Sequence, residues 1–287
     1  MEIQFKPIQN GIFVHHRKDP YAQTSDLHYH DAYELYYLLG GERKYLTHSN
    51  LYPINADWVT LTRPYVIHGT NGQSYERLLV SFSEDFLASH FSPSMIELFH
   101  QVFSVDAIPS EIIKNNPLIK DLFFQVVDAV ESGEIKMAAM HLGTLLLMLH
   151  NIVLKIPVGS NNSTLSTQMQ EVMAYVSNNL ATIKNLEQVS SHFYVSKFYL
   201  SHQFKNSTGF TFIEFLTKVK ISRALHLLKY TNNSIAEISD ACGFETPTYF
   251  GVVFKKKLHM TPLQYRTWIT AQDRPQEQPT AKHKKSK

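Results

Sequence analysis

Asn185-Leu-Glu-Gln-Val-Ser-Ser-His-Phe-Tyr-Val-Ser-Lys-Phe-Tyr-Leu-Ser-His-Gln-Phe-Lys205 and Ser234-Ile-Ala-Glu-Ile-Ser-Asp-Ala-Cys-Gly-Phe-Glu-Thr-Pro-Thr-Tyr-Phe-Gly-Val-Val-Phe-Lys255 read as one unit written twice. Leu186, Val189 and Val195 recur as Ile235, Ile238 and Phe244, and Leu200, Phe204 and Lys205 recur as Phe250, Phe254 and Lys255, with one residue inserted in the second turn. Each copy has the pattern of a short helix, a turn and a second helix with an apolar face. Two such units in one chain can set two helices in successive major grooves, about 34 Å apart, without dimerisation. The duplication therefore points to DNA.

Capping chemistry predicts the helix boundaries. Ser234-x-x-Glu237 and Thr211-x-x-Glu214 have the spacing of capping boxes, and Asn185-x-x-Gln188 is the amide analogue. Thr246-Pro247 is an N-cap followed by proline at the first helical position. Gly243 stands in the second turn, where a missing Cβ permits close approach or positive φ. The box at Thr211 opens a helix to about Tyr230, with Phe212, Phe215, Leu216, Val219 and Leu227 at helical spacing. That helix joins the two units. A plain helical bundle would explain neither the duplicated register nor the matched turns.

Charge is divided in the same way. Residues 164–287 hold 16 Lys+Arg against 8 Asp+Glu, whereas residues 1–163 hold 11 against 17. A chain of net charge +2 thus conceals a basic half that attracts phosphates. Four of those lysines lie in the tail Lys282-His-Lys-Lys-Ser-Lys287, and the half stays basic without them.

From about Thr167 to Trp268 the chain resembles the AraC/XylS family of bacterial transcription regulators. The resemblance rests on Ser234-Ile-Ala-Glu-Ile, Ala241-Cys-Gly-Phe244, Tyr249-Phe250, Val253-Phe-Lys-Lys256 and Met260-Thr-Pro-Leu-Gln-Tyr-Arg266. It implies sequence-specific binding to promoter DNA, activation of transcription, RNA polymerase as a candidate partner, and a homodimer. With Leu200 and Phe204 inward, helical rotation sets Phe198, Ser201, His202 and Lys205 outward, and Phe250 and Phe254 leave Thr248, Val252 and Lys255 outward. Lys197, Thr246 and Lys256 complete the expected DNA-binding set. The family usually carries arginine at the places of His202 and Val252, and Arg bidentate to guanine is the commonest specific base contact. The first unit is therefore expected to read sequence while the second sits on the backbone. The family also commonly has threonine and glycine where Leu258-His259 stands. His259 must then supply the helix-ending conformation glycine normally gives.

The N-terminal half has another pattern. Residues 1–85 are rich in Tyr, Phe, Val, Thr and Leu in short runs broken by Gly, Pro, Asn and Asp, which predicts antiparallel β structure. His28-Tyr-His-Asp-Ala-Tyr-Glu34 puts His28, His30 and Glu34 on one side of a strand, and Asp57-Trp-Val-Thr-Leu-Thr-Arg-Pro64 leads to His68. This looks like a cupin, a small jelly-roll barrel, although Ala56 stands where glycine usually precedes the aspartate. Three histidines and a glutamate would suit a divalent transition metal. The resemblance implies instead a metal-free sensor, so no metal, cofactor or catalytic residue is expected. The expected effector-binding residues are His28, His30, Glu34, Tyr36, Arg43 and His68, for a small polar molecule such as a sugar. Tyr29, Tyr33, Tyr37, Trp58, Tyr65 and Arg63 lie close in sequence, and by parity about half of these aromatics must fill the core. The rival is a metal-dependent cupin enzyme, a dioxygenase or isomerase, with an appended DNA-binding module.

The expected fold is α+β in two domains, a cupin barrel with packed helices and an all-α domain with two helix-turn-helix units. The expected divisions are 1–90 for the barrel, 91–156 for a helical, dimerising segment, 157–166 for a linker, 167–270 for the DNA-binding domain, and 271–287 for a disordered tail. The apolar run Leu142 to Leu149 is shorter than the ~20 residues of a membrane span. One cysteine, Cys242, forms no internal disulfide, and Met1-Glu-Ile-Gln-Phe-Lys-Pro is no secretion signal, so a cytoplasmic protein is expected.

Overall fold

The computed structural model describes residues 11–20, 27–47, 50–157 and 166–272. Strands come first: β1 (Ile12–Asp19), β2 (Tyr33–Thr47), β3 (Leu51–Asn55), β4 (Val59–Thr62) and β5 (His68–Phe82). There follow α1 (Glu84–His90), α2 (Pro93–Val102), β6 (Ala107–Ile108), α3 (Ser110–Lys114), α4 (Leu118–Glu131) and α5 (Ile135–Val153). The C-terminal half is helical: α6 (Thr167–Asn178), α7 (Leu186–His192), α8 (Lys197–Thr208), α9 (Phe212–Tyr230), α10 (Ile235–Ala241), α11 (Pro247–Leu258) and α12 (Pro262–Gln272). Two details differ from expectation. Helix begins at Glu84, inside the expected barrel, and β6 adds a short strand to β4 within the expected helical segment. All of the expected linker except Pro157 and Ser166, and the tail from residue 273, lie outside the described residues.

The sheet is antiparallel, in the order β1-β5-β2-β4-β6 with β3 also on β2. Strands β2 and β5 pair from Tyr33↔Phe82 to Thr47↔His68, and register shifts at Leu38/Gly40 and Gly41/Arg43 bend the pair. Gly41 has φ +94°, and a Cβ there would lie 2.3 Å from Ser74 O, so only glycine fits the bend. Strand alternation then sorts the side chains. Leu35, Tyr37, Val59, Leu61, Leu78, Val80 and Phe82 face the helices in one core, while Tyr36, Leu38, Tyr45, Tyr52, Ile54, Trp58 and Leu79 face the other way. Among the described residues the sheet's path ends on β1 and β6, so the roll is open at that edge.

Length and composition alone would let α5 cross a membrane. Its residues Ala139, Leu142, Leu145, Leu146 and Leu149 instead share the core with α2 and α4. Met137 and Met140, 42% and 64% exposed, are left outside.

In the C-terminal half the capping pattern decides where helices start. Ser234/Glu237 and Thr211/Glu214 form complete boxes, and Thr246 accepts from Tyr249 N with Pro247 at the first position. The Asn185 box is incomplete. Its side chain accepts from Gln188 N, but Gln188 Oε1 accepts from Lys184 N rather than from Asn185 N. A reciprocal pair not anticipated from the sequence joins Thr261 and Gln264.

Helix α9 lies at the centre of this half. Phe212, Phe215, Leu216, Ile221, Ala224, Leu225 and Leu228 pack on residues of α6, α7, α8, α10 and α11. Lys220, only 6% exposed, donates to Ile183 O at 2.8 Å and Gly243 O at 2.6 Å. One lysine thereby ties the approach to the first unit to the turn of the second. Burial lowers its pKa to about 8, with Lys184 acting in the same direction.

The same core continues into the N-terminal half through Leu27, Tyr29, Tyr65 and Ile67. Lys229 Nζ meets Asp31 Oδ2 at 2.7 Å, Lys218 donates to Leu27 O, and Ser222 donates to Tyr65 O. Helix α9 is thus both the joint between the two units and the surface that meets the sheet.

Candidate DNA-binding face and effector site

The duplication is visible in the backbone. In the first turn Tyr194 N donates to Ser191 O and Val195 N to Ser190 O. In the second, Gly243 N donates to Asp240 O and Phe244 N to Ser239 O. Tyr194 and Gly243 occupy the matched left-handed position, with φ +55° and +72°. The inserted residue is Glu245, between Phe244 and the N-cap Thr246. Helices α8 and α11 end alike, on left-handed Gly209 and His259 whose N–H groups donate to Lys205 O and Lys255 O. His259 does take the conformation expected of it.

Leu200 and Phe204, and Phe250 and Phe254, are buried, as the periodicity requires. On α8, Lys197, Phe198, Ser201, His202 and Lys205 are exposed, with Phe198 at 81%. Phe198 and His202 stack at 6.2 Å, and Asn206 Nδ2 lies 3.2 Å from His202 Nδ1. On α11, Thr246, Thr248, Val252, Lys255 and Lys256 are exposed. The Lys255-Lys256-Lys257 run sits in the last turn, where positive charge also complements the helix dipole. Tyr194 and Tyr249 are also exposed, at 97% and 56%, and stood outside the expected DNA-binding set. Their only sequence signal was a polar-tipped aromatic beside the start of the second helix.

The effector set separates into two clusters. His28, His30, Glu34 and His68 come together, one ligand atom from each lying within 4.8 Å of the others. They do not share one strand. His28 makes an isolated bridge with His68, the chain bends at Asp31–Ala32, and β2 starts only at Tyr33. His30 Nε2 lies 3.1 Å from Glu34 Oε2, and His68 Nε2 lies 3.5 Å from Oε1. Burial acts to raise the Glu34 pKa, but His30 and His68 prevail and hold it well below the usual carboxylate range.

Tyr36 and Arg43 belong to the second cluster, with Tyr75 and Arg77. The Arg77 guanidinium lies 5.4 Å from the Tyr36 ring, and that of Arg43 lies 4.4 Å from the Tyr75 ring. Arg43 is 3% exposed and donates to Gln73 O at 2.8 Å. Tyr36 OH, Arg43 Nε and Arg77 Nη1 are buried with no protein partner. Arg77 escaped the sequence reading because its proximity depends on the register Leu38↔Arg77 between strands far apart in the chain. The remaining aromatics divide by parity. Trp58 joins Tyr36, Tyr37 and Tyr33 turn toward the helices, and Tyr29 and Tyr65 face the DNA-binding half. Arg63 is exposed and belongs to neither cluster.

The sequence model of the "Helix-turn-helix domain" family matches residues 189–267, both units except the first turn of α7. A Bacillus subtilis "Uncharacterized HTH-type transcriptional regulator YfiF" is 29% identical over 255 residues, 84% of this chain and 78% of that one. The "Xylose operon regulatory protein" of Haemophilus influenzae is 34% identical over 181 residues, 57% of this chain and 47% of that one. The chain therefore spans most of the first relative and about half of the second. Among solved structures, the C-terminal domain of AraT from Geobacillus stearothermophilus is 31% identical, covering 42% of this chain and 98% of that one at a TM-score of 0.36. Paired helix-turn-helix units with exposed second helices define a DNA-binding transcription regulator. Residues 189–267 form a helix-turn-helix domain, and this half of the chain is similar to AraC-type transcription regulators.

Proposed function

We propose that the protein is a transcription activator that answers to a small polar effector, with α8 as its sequence reader and α11 as its backbone anchor. The carrying observation is the contrast between the exposed faces. His202, Ser201 and Lys197 offer base-edge donors, whereas Val252 offers a thymine methyl contact at most. The exposed residues Lys197, Phe198, Ser201, His202, Lys205, Thr246, Thr248, Val252, Lys255 and Lys256 form the DNA-facing set.

The effector occupies the inner face of the rolled sheet at Tyr36, Arg43 and Arg77. Buried donors with no protein partner are costly, and a ligand's acceptor oxygens would satisfy them. A sugar-sized molecule fits this chemistry, and one relative is named for a xylose operon. The protein acts in the cytoplasm as a homodimer, recruiting RNA polymerase, and is a regulator rather than an enzyme. Its sheet binds the effector, helices within 91–156 dimerise, and 167–270 is the DNA-binding domain.

The test is selection of bound sequences from randomised duplexes with full-length protein, followed by a thermal-shift panel of sugars and sugar acids. An enriched motif, and a ligand whose stabilisation is lost in Arg77→Ala, support the reading. DNA binding without sequence preference contradicts it.

A further inference from the structure

We infer that the effector proposed above, on whose reading this rests, is a small hydroxylated carboxylate of the sugar-acid class. Its carboxylate binds between Arg43 and Arg77, and its hydroxyl groups meet Tyr36 and Thr60.

The strand register builds the cationic end. Leu38 and Leu79 face the inside of the roll, so Arg77, opposite the one and two residues before the other, does too. The register shifts at Leu38/Gly40 and Gly41/Arg43 then reverse the alternation along β2. Arg43 and Tyr45 turn inward there, at 3% and 1% exposed, and Glu42 stays in solvent. Two guanidinium groups thus share the inner face without a carboxylate. Among the described residues no ion pair includes Arg43 or Arg77. Asp19, on neighbouring β1, is taken by Arg17 at 2.7 Å, and Glu34 by His30 and His68.

That arrangement is costly. Burial lowers the Arg43 pKa and Arg77 acts in the same direction, yet a guanidinium keeps its charge throughout the physiological range. The rings of Tyr36 and Tyr75 offer their faces to the two cations and leave N–H edges unmet. Arg43 Nε and Arg77 Nη1 are buried with no protein partner. An anion between them supplies the missing charge and both missing acceptors.

The donor set selects the anion. Two free guanidinium N–H groups match the two oxygens of a carboxylate. A phosphate has a third oxygen to satisfy and would take the Tyr36 hydroxyl from the body of the ligand. Tyr36 and Thr60 stand opposite each other across β2 and β4, and Tyr36 OH and Thr60 Oγ1 are likewise buried with no protein partner. A hydroxyl both donates and accepts, so ligand hydroxyl groups satisfy both. Trp58 and Leu38 on the same face give the apolar walls a sugar ring lies against. Arg43 also lines a cleft with Gly41, Ile54, Asn55, Gly72 and Gln73, which opens the site to solvent.

The test compares glucose, glucuronate, gluconate and glucose 6-phosphate on the full-length protein by calorimetry and thermal shift, with Arg77→Met and Thr60→Val in parallel. The expected result is that glucuronate or gluconate binds about tenfold or more tighter than glucose and the phosphate ester. Arg77→Met should abolish that preference, and Thr60→Val, which keeps the shape, should weaken the acid by about threefold or more. Without ligand, Arg77→Met should raise the Tm by about 2–4 °C, because an uncompensated charge leaves the interior. A lower Tm for that variant overturns the unpaired cation. Glucose binding as tightly as the acids, tighter binding of the phosphate ester, or no binding by either acid overturns the carboxylate and leaves the effector site standing. Acid binding that survives Arg77→Met puts the effector elsewhere and overturns the site reading itself.

Discussion

The two helix-turn-helix units share a backbone and differ in where each tolerates a side chain. In the first, the left-handed turn residue is Tyr194, 97% exposed, and the helix ends on Gly209. In the second, the turn residue is Gly243 and the helix ends on His259. A Cβ at Gly243 would lie 2.1 Å from Leu180 O and 3.0 Å from Ala181 O. The second turn is thus wedged against the chain that leads into the first unit, and Lys220 clamps it there. One turn faces solvent and the other is part of the core. The same asymmetry extends to the exposed helices, with donors on α8 and an aliphatic Val252 at the matching place on α11. Duplication copied the frame and left each copy free to take a separate task.

Several substitutions should break or sharpen this contrast. Gly243→Ala should destabilise the protein by about 3 kcal/mol or more, because neither the Leu180 carbonyl nor the left-handed backbone can give way. The matched Tyr194→Gly should change stability by less than about 1 kcal/mol. Equal effects in urea denaturation would contradict the wedge. Lys220→Met should cost about 2–3 kcal/mol by leaving Ile183 O and Gly243 O unsatisfied in a buried place.

In DNA binding, His202→Ala should relax base preference at its contacted position by about 1–3 kcal/mol, while Val252→Ala leaves every preference unchanged. Lys255→Ala should weaken all sequences alike and reduce the salt slope by about one. An unchanged slope would remove Lys255 from the phosphates. The smallest effect is acidic. The Thr211 hydroxyl and backbone hold the Glu214 pKa below its ordinary value, and the Ser234 backbone and hydroxyl do the same for Glu237. Folded values below unfolded ones mean that this support is complete above the ordinary carboxylate pKa and fades as pH falls through the folded value. Helices α9 and α10 should fray first on acidification, measured by amide exchange.

Much of the C-terminal half was legible in the sequence because its information is local. Caps, turn residues and apolar spacing act within four residues of one another, and the elements fall where they predict. The one incomplete box, at Asn185, differs because Gln188 Oε1 accepts from Lys184 N instead. The sheet was legible only in kind. Parity on a single strand brought His28, His30 and Glu34 together for the wrong reason, since a bend and a bridge to His68 do the work. Arg43 and Tyr36 were recognised but placed with the histidines, and Arg77 was missed. Cross-strand register over a long separation in the chain decides those neighbours, and no local pattern encodes it.

The central claim is that one unit reads bases and the other holds the backbone, and the most direct measurement is selection from randomised duplexes with wild type, His202→Ala and Val252→Ala in parallel. The account predicts a wild-type motif with one strongly specified half-site, and a second about one helical turn away that is specified weakly. It predicts that His202→Ala erases preference in the strong half-site and that Val252→Ala alters nothing. A motif equally specified in both half-sites, or one changed by Val252→Ala and untouched by His202→Ala, would contradict it.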